Sequence, residues 1–228
     1  MKINRVTFTG ADNHTDIEAL VNLTEKYPNI NIEWGILLSN SNNRNRYPYD
    51  DFIKQLKDKG LNLALHLCGH YSRSIMSDGI IELPYEFFNR YQLNFNFSKT
   101  SYKKDYYYEL TRTYREKSFI LQYNKSNSGV INEIVDEFFN IRNTNILYDA
   151  SGGRGSEISV FNEPFSHDIY TGYSGGLNPE NIEKVCNVLT NMKNTSNIWI
   201  DMESGVRTND YFDLDKVESV LKTVIKYN

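Results

Sequence analysis

Two glycine-bearing segments near the end of the chain carry its clearest chemistry. In Tyr173-Ser174-Gly175-Gly176-Leu177-Asn178-Pro179 a glycine pair stands between an apolar run and a helix pattern, with Asn178 as cap and Pro179 in the first helical position. Such a turn presents backbone N–H groups at the positive end of a helix dipole, and glycine lets the main chain approach an anion closely. A lone Gly-Gly pair is ordinarily a tight turn. Here the device recurs after the next apolar run, in Asp201-Met202-Glu203-Ser204-Gly205-Val206-Arg207, and two adjacent loops can grip one phosphate. Gly175, Gly176, Ser204 and Gly205 are therefore the phosphate-binding candidates.

Asp149 closes another apolar run, just ahead of Gly152-Gly153-Arg154-Gly155, where a parallel barrel carries a general acid; the plainer reading is an aspartate capping a glycine turn. Leu65-His66-Leu67-Cys68-Gly69-His70 sets His66 and Cys68 two apart, on one face of a strand, where imidazole beside a thiol favours thiolate. Packing competes as the explanation for Cys68, and a metal site on His66, Cys68 and His70 has no evident fourth ligand. Arg154 and Arg207 suit an anionic ligand. Tyr106-Tyr107-Tyr108 falls in a helix pattern and reads better as packing than as a stacking platform.

The elements that must position these groups alternate. Strand patterns cover residues 5–9, 31–39, 61–68, 92–97, 118–123, 145–149, 168–173 and 197–202, and helix patterns cover 16–26, about 49–60, 102–115, 129–142, 179–192 and 214–227. The stretch after residue 68 is irregular. Alternating strand and helix implies a parallel sheet with right-handed crossovers, and eight such units close into a single (β/α)₈ barrel over residues 1–228. An open doubly wound sheet is the alternative.

Composition sets outer bounds. With 39% hydrophobic and 24% charged residues the chain lies outside the disordered regime, and its surplus of Asn and Tyr carries no functional weight. A net charge of −4 opposes general affinity for nucleic acid polymers, which needs clustered Lys and Arg. Two cysteines, Cys68 and Cys186, far apart, make a disulfide scaffold improbable and point to reduced cytosol. The N-terminus lacks a long apolar stretch, so neither secretion nor membrane insertion is expected. The expected partner is a small phosphorylated ligand, and no cofactor is called for.

The residues resemble the phosphoribosylanthranilate isomerase family, barrel enzymes that perform an Amadori rearrangement on a phosphorylated aminoribose. The resemblance spans most of the chain. Gly175 to Pro179 matches the family's seventh-strand loop, and Asp201 to Val206 its eighth. Asp149 matches the catalytic acid ending the sixth strand, and Gly153 in the downstream loop joins the phosphate-binding set. Arg46-Tyr47 matches an Arg-Tyr pair whose Arg meets the anthranilate carboxylate. The resemblance implies an acid that opens the furanose ring and a base that removes the C2 proton.

One position departs. The family's base is a Cys ending the first strand before a Gly, and Val6-Thr7-Phe8-Thr9-Gly10 puts Thr9 there. A threonine hydroxyl is too weak an acid to supply that base, which leaves Thr9 and His66 as substrate contacts and Cys68 as the candidate relocated base. Two functions follow: an isomerase of a phosphorylated sugar amine or sugar phosphate with Asp149 as acid, or a barrel that binds or sequesters a phosphorylated, nucleotide-like ligand without converting it. Lyase or hydrolase chemistry on a phospho-sugar ranks last, because a barrel fold alone does not settle the reaction.

Overall fold

A computed structural model describes residues 1–227 except 41–43, 138–141, 150–160, 166–167 and 195. Its eight main strands are β1 (Lys2–Thr9), β2 (Ile32–Leu38), β3 (Leu63–Cys68), β4 (Arg90–Asn94), β5 (Ser118–Tyr123), β6 (Thr144–Asp149), β7 (Tyr170–Ser174) and β8 (Asn197–Met202). All pair in parallel in sequence order, and β8 returns to β1, closing a barrel. The expected (β/α)₈ architecture stands, and the open sheet does not. Helices α1 (Ile17–Lys26), α2 (Asp50–Gln55), α3 (His70–Met76), α4 (Lys104–Thr113), α5 (Ser128–Glu137), α6 (Ile182–Asn191) and α7 (Leu214–Val224) connect the strands.

Strand alternation divides the side chains between two environments. Val6, Phe8, Trp34, Ile36, Leu65, Leu67, Tyr91, Leu93, Ile198 and Ile200 point outward into the layer between barrel and helices. That layer is pinned at helix ends and along helix faces: Asp16 caps α1 by accepting from the Glu18 N–H, and the Trp34 indole donates to Thr24 Oγ1 of α1 at 3.1 Å. The inward set is different. Ile120, Leu147 and Trp199 form a small apolar cluster inside the barrel, with Tyr170 against it. Gly172 of β7 makes room for it, since a Cβ there would overlap the Trp199 indole. Below the plug, the Arg90 guanidinium lies 4.5 Å over the Trp199 ring and pairs with buried Glu33 at 2.6 Å, while Thr7 donates to Glu33 at 2.9 Å.

Where the structure departs from the sequence pattern, side chains explain it. β4 spans Arg90–Asn94 rather than 92–97, because Phe95 and Phe97, though buried, are hydrogen-bonded by a side chain instead of a neighbouring strand. Asn127 donates to the Phe95 carbonyl at 2.9 Å and accepts from the Phe97 N–H at 3.2 Å. Arg90, a charge that reads as a strand boundary, is buried by its pairing with Glu33. The irregular stretch after residue 68 contains α3, so His70 opens a short helix instead of sitting in a loop; Gly69 precedes it at φ +61°. Helix α2 ends at Gln55, five residues before Gly60. A two-residue hairpin, β9 (Arg207–Thr208) with β10 (Tyr211–Phe212), follows β8 and had no sequence signal.

Replacing Gly172 with Ala should therefore destabilise the barrel by about 1–3 kcal/mol through overpacking against Trp199. At Gly129, in α5, a methyl meets nothing within 4 Å, and Gly129→Ala should leave stability unchanged or raise it by about 0.5–1 kcal/mol. Urea titrations of both variants check this, and equal stabilities would refute the packing account.

Candidate active site

The C-terminal ends of the strands open into a cavity of about 490 Å³. Every strand contributes lining: Thr9 from β1, Leu37 from β2, His66 and Cys68 from β3, Gln92 and Asn94 from β4, Gln122 from β5, Leu147 and Asp149 from β6, Ser174 from β7 and Asp201 from β8. All belong to the inward set. The loops beyond add Arg44, Arg46 and Tyr47 on one side and Gly175, Gly176 and Ser204 on the other.

The two glycine loops meet here. Gly175 and Gly176 have φ of +112° and +63°, conformations that L side chains rarely adopt. The Gly176 carbonyl is held by the Asn178 and Asn181 amides at 3.1 and 2.8 Å, and Asn178 Oδ1 accepts from the Glu180 and Asn181 N–H groups at 3.0 Å each. Asn178 therefore closes a turn instead of capping the helix: α6 begins at Ile182 with Asn181 in the cap position, so Pro179 does not hold the first helical position expected of it. Gly205 packs so closely on this loop that a Cβ would overlap the Leu177 carbonyl oxygen. Among the described residues the N–H groups of Gly176, Leu177, Ser204 and Gly205 donate to no acceptor. Gly153 and Arg154 lie outside the described residues.

Beside these loops stand the carboxylates. Thr9 Oγ1 donates to Asp201 Oδ1 at 2.8 Å, both groups buried. Gly35 of β2 leaves the space Thr9 fills, since a Cβ there would strike the Thr9 hydroxyl. Burial pushes the Asp201 carboxyl up to about 7, against the lowering effect of the Thr9 hydrogen bond; Glu33 and Glu203 raise it further and Arg90 lowers it. Glu203, two residues on, is also raised by burial, opposed by Arg46 and Arg207. Asp149 shares the Asp201 level: it pairs with Ser174, which pairs with Asp201, so the two aspartates flank β7.

The remaining predicted residues divide between cavity and scaffold. Arg46 reaches the cavity, but its guanidinium is engaged by Glu203 and by Asp210 at 3.4 Å. Arg207 is absent from the lining: it bonds the Gly10 carbonyl and pairs with buried Asp12 at 2.9 Å, tying the β8 loop to the β1 loop. Cys68 and His66 share the cavity without forming a thiol–imidazole pair. Asn94 donates to the Cys68 sulfur at 3.1 Å, and the thiol faces the His66 backbone carbonyl at 3.6 Å. Burial pushes Cys68 up to about 11 and His66 down to about 3, leaving a neutral thiol and a neutral imidazole. His70 bonds Ser74 within α3 and does not line the cavity. Tyr106, Tyr107 and Tyr108 also stay outside it; Tyr107 is buried and bonds Thr144 at 2.9 Å.

Residues missing from the sequence-level candidates include Glu203, Gln92, Asn94 and Gln122, and Asp201 was noted only as part of a phosphate loop. For most of them the signal was available as polar residues two apart, Gln92 with Asn94 inside the apolar β4 and Asp201 with Glu203 at the end of β8.

The model of the family described as N-(5'phosphoribosyl)anthranilate (PRA) isomerase matches residues 105–223, just over half of the chain. That stretch holds Asp149 and both glycine loops, whereas Thr9 and Arg46 precede it. The fold is similar to phosphoribosylanthranilate isomerase from Thermotoga maritima, with TM-score 0.60 and 17% identity over 98% of this chain and 100% of that one. It is also similar to N-(5'-phosphoribosyl)anthranilate isomerase from Pyrococcus furiosus, at 0.58 and 16% over 97% and 98%. A third likeness is 3-keto-L-gulonate-6-phosphate decarboxylase from Vibrio cholerae, at 0.51 and 10% over the full length of both. No curated protein matches the sequence.

Because the folded state holds the Asp201 proton up to about pH 7 against an ordinary value of 3.8, stability should fall as pH rises through that window. Asp201→Asn removes the penalty. Its stability gain over wild type should widen between pH 4 and pH 8 by about 3 kcal/mol. Denaturation at the two pH values measures this, and a pH-independent difference would show that Asp201 titrates normally.

Proposed function

Since the chain belongs to the N-(5'phosphoribosyl)anthranilate isomerase family, as a divergent member lacking the first-strand Cys, we propose that it isomerises a phosphorylated sugar amine by an Amadori-type rearrangement. The observation that carries this reading is the convergence of Asp149 and the two glycine loops on one cavity, all within the stretch that matches the family. The phosphate is held by backbone N–H groups of Gly176, Leu177, Ser204 and Gly205, with the Ser204 hydroxyl at its edge. Glycine at 205 lets the two loops approach closely enough to share it.

With the phosphate anchored at β7 and β8, the sugar extends across the mouth towards β1 and β6. Asp149 protonates the ring oxygen, the C1–O bond breaks, and the amine nitrogen's lone pair forms the iminium. The apolar plug of Ile120, Leu147 and Trp199 below the cavity keeps bulk water from entering through the barrel.

Arg46 bears on the identity of the amine. A ligand carboxylate must compete with Glu203 for that guanidinium, which widens the substrate class beyond anthranilate adducts to amines without a carboxylate. The alternative, binding without conversion, draws on Thr9 in the place of a cysteine. Turnover decides between them.

Wild-type protein is expected to convert N-(5'-phosphoribosyl)anthranilate or its carboxylate-free aniline analogue. Asp149→Asn should cut that rate by about 10²–10⁴-fold while leaving ribose 5-phosphate affinity within a factor of about two. Gly205→Ala should weaken ribose 5-phosphate about tenfold or more by forcing the loops apart. Tight binding with no conversion of either probe would instead establish the binding-only reading.

A further inference from the structure

We propose that Asp201, held by Thr9, is the base that removes the C2 proton, so that acid and base stand on β6 and β8 with Ser174 of β7 between them. This assignment rests on the isomerase reading above. Once the ring is open, the base must take hydrogen from C2. The C2–H electron pair becomes the C1=C2 bond, the C1=N π pair returns to nitrogen, and the iminium becomes a neutral enaminol. The enaminol then loses its O2 proton, which returns through solvent to the Asp149 carboxylate, as C1 takes the proton held by Asp201, giving the aminoketose and restoring both groups to their starting states.

Among the described residues, six ionisable side chains lining the cavity could in principle do this: Tyr47, His66, Cys68, Asp149, Asp201 and Glu203. Burial raises the Tyr47 phenol above its ordinary range, so it offers no phenolate. Cys68 is a neutral thiol pinned by Asn94, with no imidazole against it. His66 is buried at the wall, and a nitrogen protonated only near pH 3 is a weak acceptor for a carbon-bound proton. Glu203 is engaged by Arg46. Asp149 is already the acid, and the two steps require groups in opposite protonation states within one turnover. Asp201 is left.

Its geometry is positive evidence as well. Oδ1 is fixed by Thr9, and Oδ2 makes no hydrogen bond among the described residues. Adjacent strands lie about 4.8 Å apart, so across β7 the Asp149 and Asp201 backbones stand roughly 9–10 Å apart, a span that accommodates a pentose between their carboxyls. Asp201 also lies three residues before Ser204, so the phosphate loop itself sets the distance from the anchored phosphate to the base. The charged groups facing it are Glu33 of β2, Arg90 of β4 and Glu203 beyond β8, with Asp149, Arg44 and Arg46 around the same cavity. A carboxyl raised to about 7 by burial suits the task, since a general base works best when its pKa lies near the operating pH. Thr9 is then a positioning residue: its hydroxyl aims the carboxylate and keeps it from rising higher.

The test uses N-(5'-phosphoribosyl)anthranilate and the aniline analogue as substrates and the borohydride-reduced product as a non-reacting probe. Asp201→Asn should lower kcat at least about 100-fold and bind the reduced product within a factor of about two, which also certifies its fold. Wild-type kcat should rise with pH through a midpoint near 7; Thr9→Val should move that midpoint upward, and Thr9→Ser should restore it. Asp201→Asn turnover within a few-fold of wild type, or a midpoint unmoved in Thr9→Val, would overturn the assignment and leave the isomerase reading intact. A wild-type protein that converts neither substrate would overturn the isomerase reading, and the base with it.

Discussion

Closure of β8 onto β1 is the constraint on which the site depends. It sets Thr7 in register with Asp201 and delivers the Thr9 hydroxyl to the Asp201 carboxyl, joining residues 192 positions apart. The same seam is braced on both sides. Below, the terminal amine donates to the Thr190 and Met192 carbonyls at 3.3 Å each. Above, Arg207 grips the Gly10 carbonyl and Asp12, so the β8 side of the mouth is locked to the first strand's loop. The loss of Arg207 from the cavity lining is therefore no idle surface event; its charge is used to hold the mouth in shape.

A closed barrel with polar groups at both ends must keep those ends apart. The Ile120, Leu147 and Trp199 plug does so, and Gly172 is the residue that admits the indole. Beneath the plug the Arg90–Glu33 pair is supported by Thr7, Asn145 and Arg5, the last at 3.2 Å from Glu33, although Arg90 Nε has no hydrogen-bond partner among the described residues. Above it, Asp201 and Glu203 are both raised by burial. Carboxyls raised by burial at the mouth of a barrel are the pattern expected where reactivity is maintained at a cost in stability.

Much of this was legible in the amino acids. The βα rhythm revealed the barrel, and the two glycine loops and Asp149 were read as ending inner strands, as they do. The misreadings have physical causes. Phe95 and Phe97 look like strand because they are buried and alternate, but Asn127 replaces the ladder. His66 and Cys68 share a strand face, yet the thiol turns to Asn94 of the next strand, a partner that spacing along one strand does not disclose. Arg46 looked free for a ligand because its partner Glu203 is 157 residues away. Thr9 read as the place of a missing cysteine and as a substrate contact; its bond to Asp201 lies across the closing seam, where sequence spacing does not disclose it.

Nuclear magnetic resonance of the labelled wild-type protein titrated with ribose 5-phosphate tests most directly whether the two loops form one phosphate site. The backbone amides of Gly176 and Gly205 should shift together and saturate with a single dissociation constant, because both donate to the same anion. Movement of only one amide, or of neither, would contradict the account.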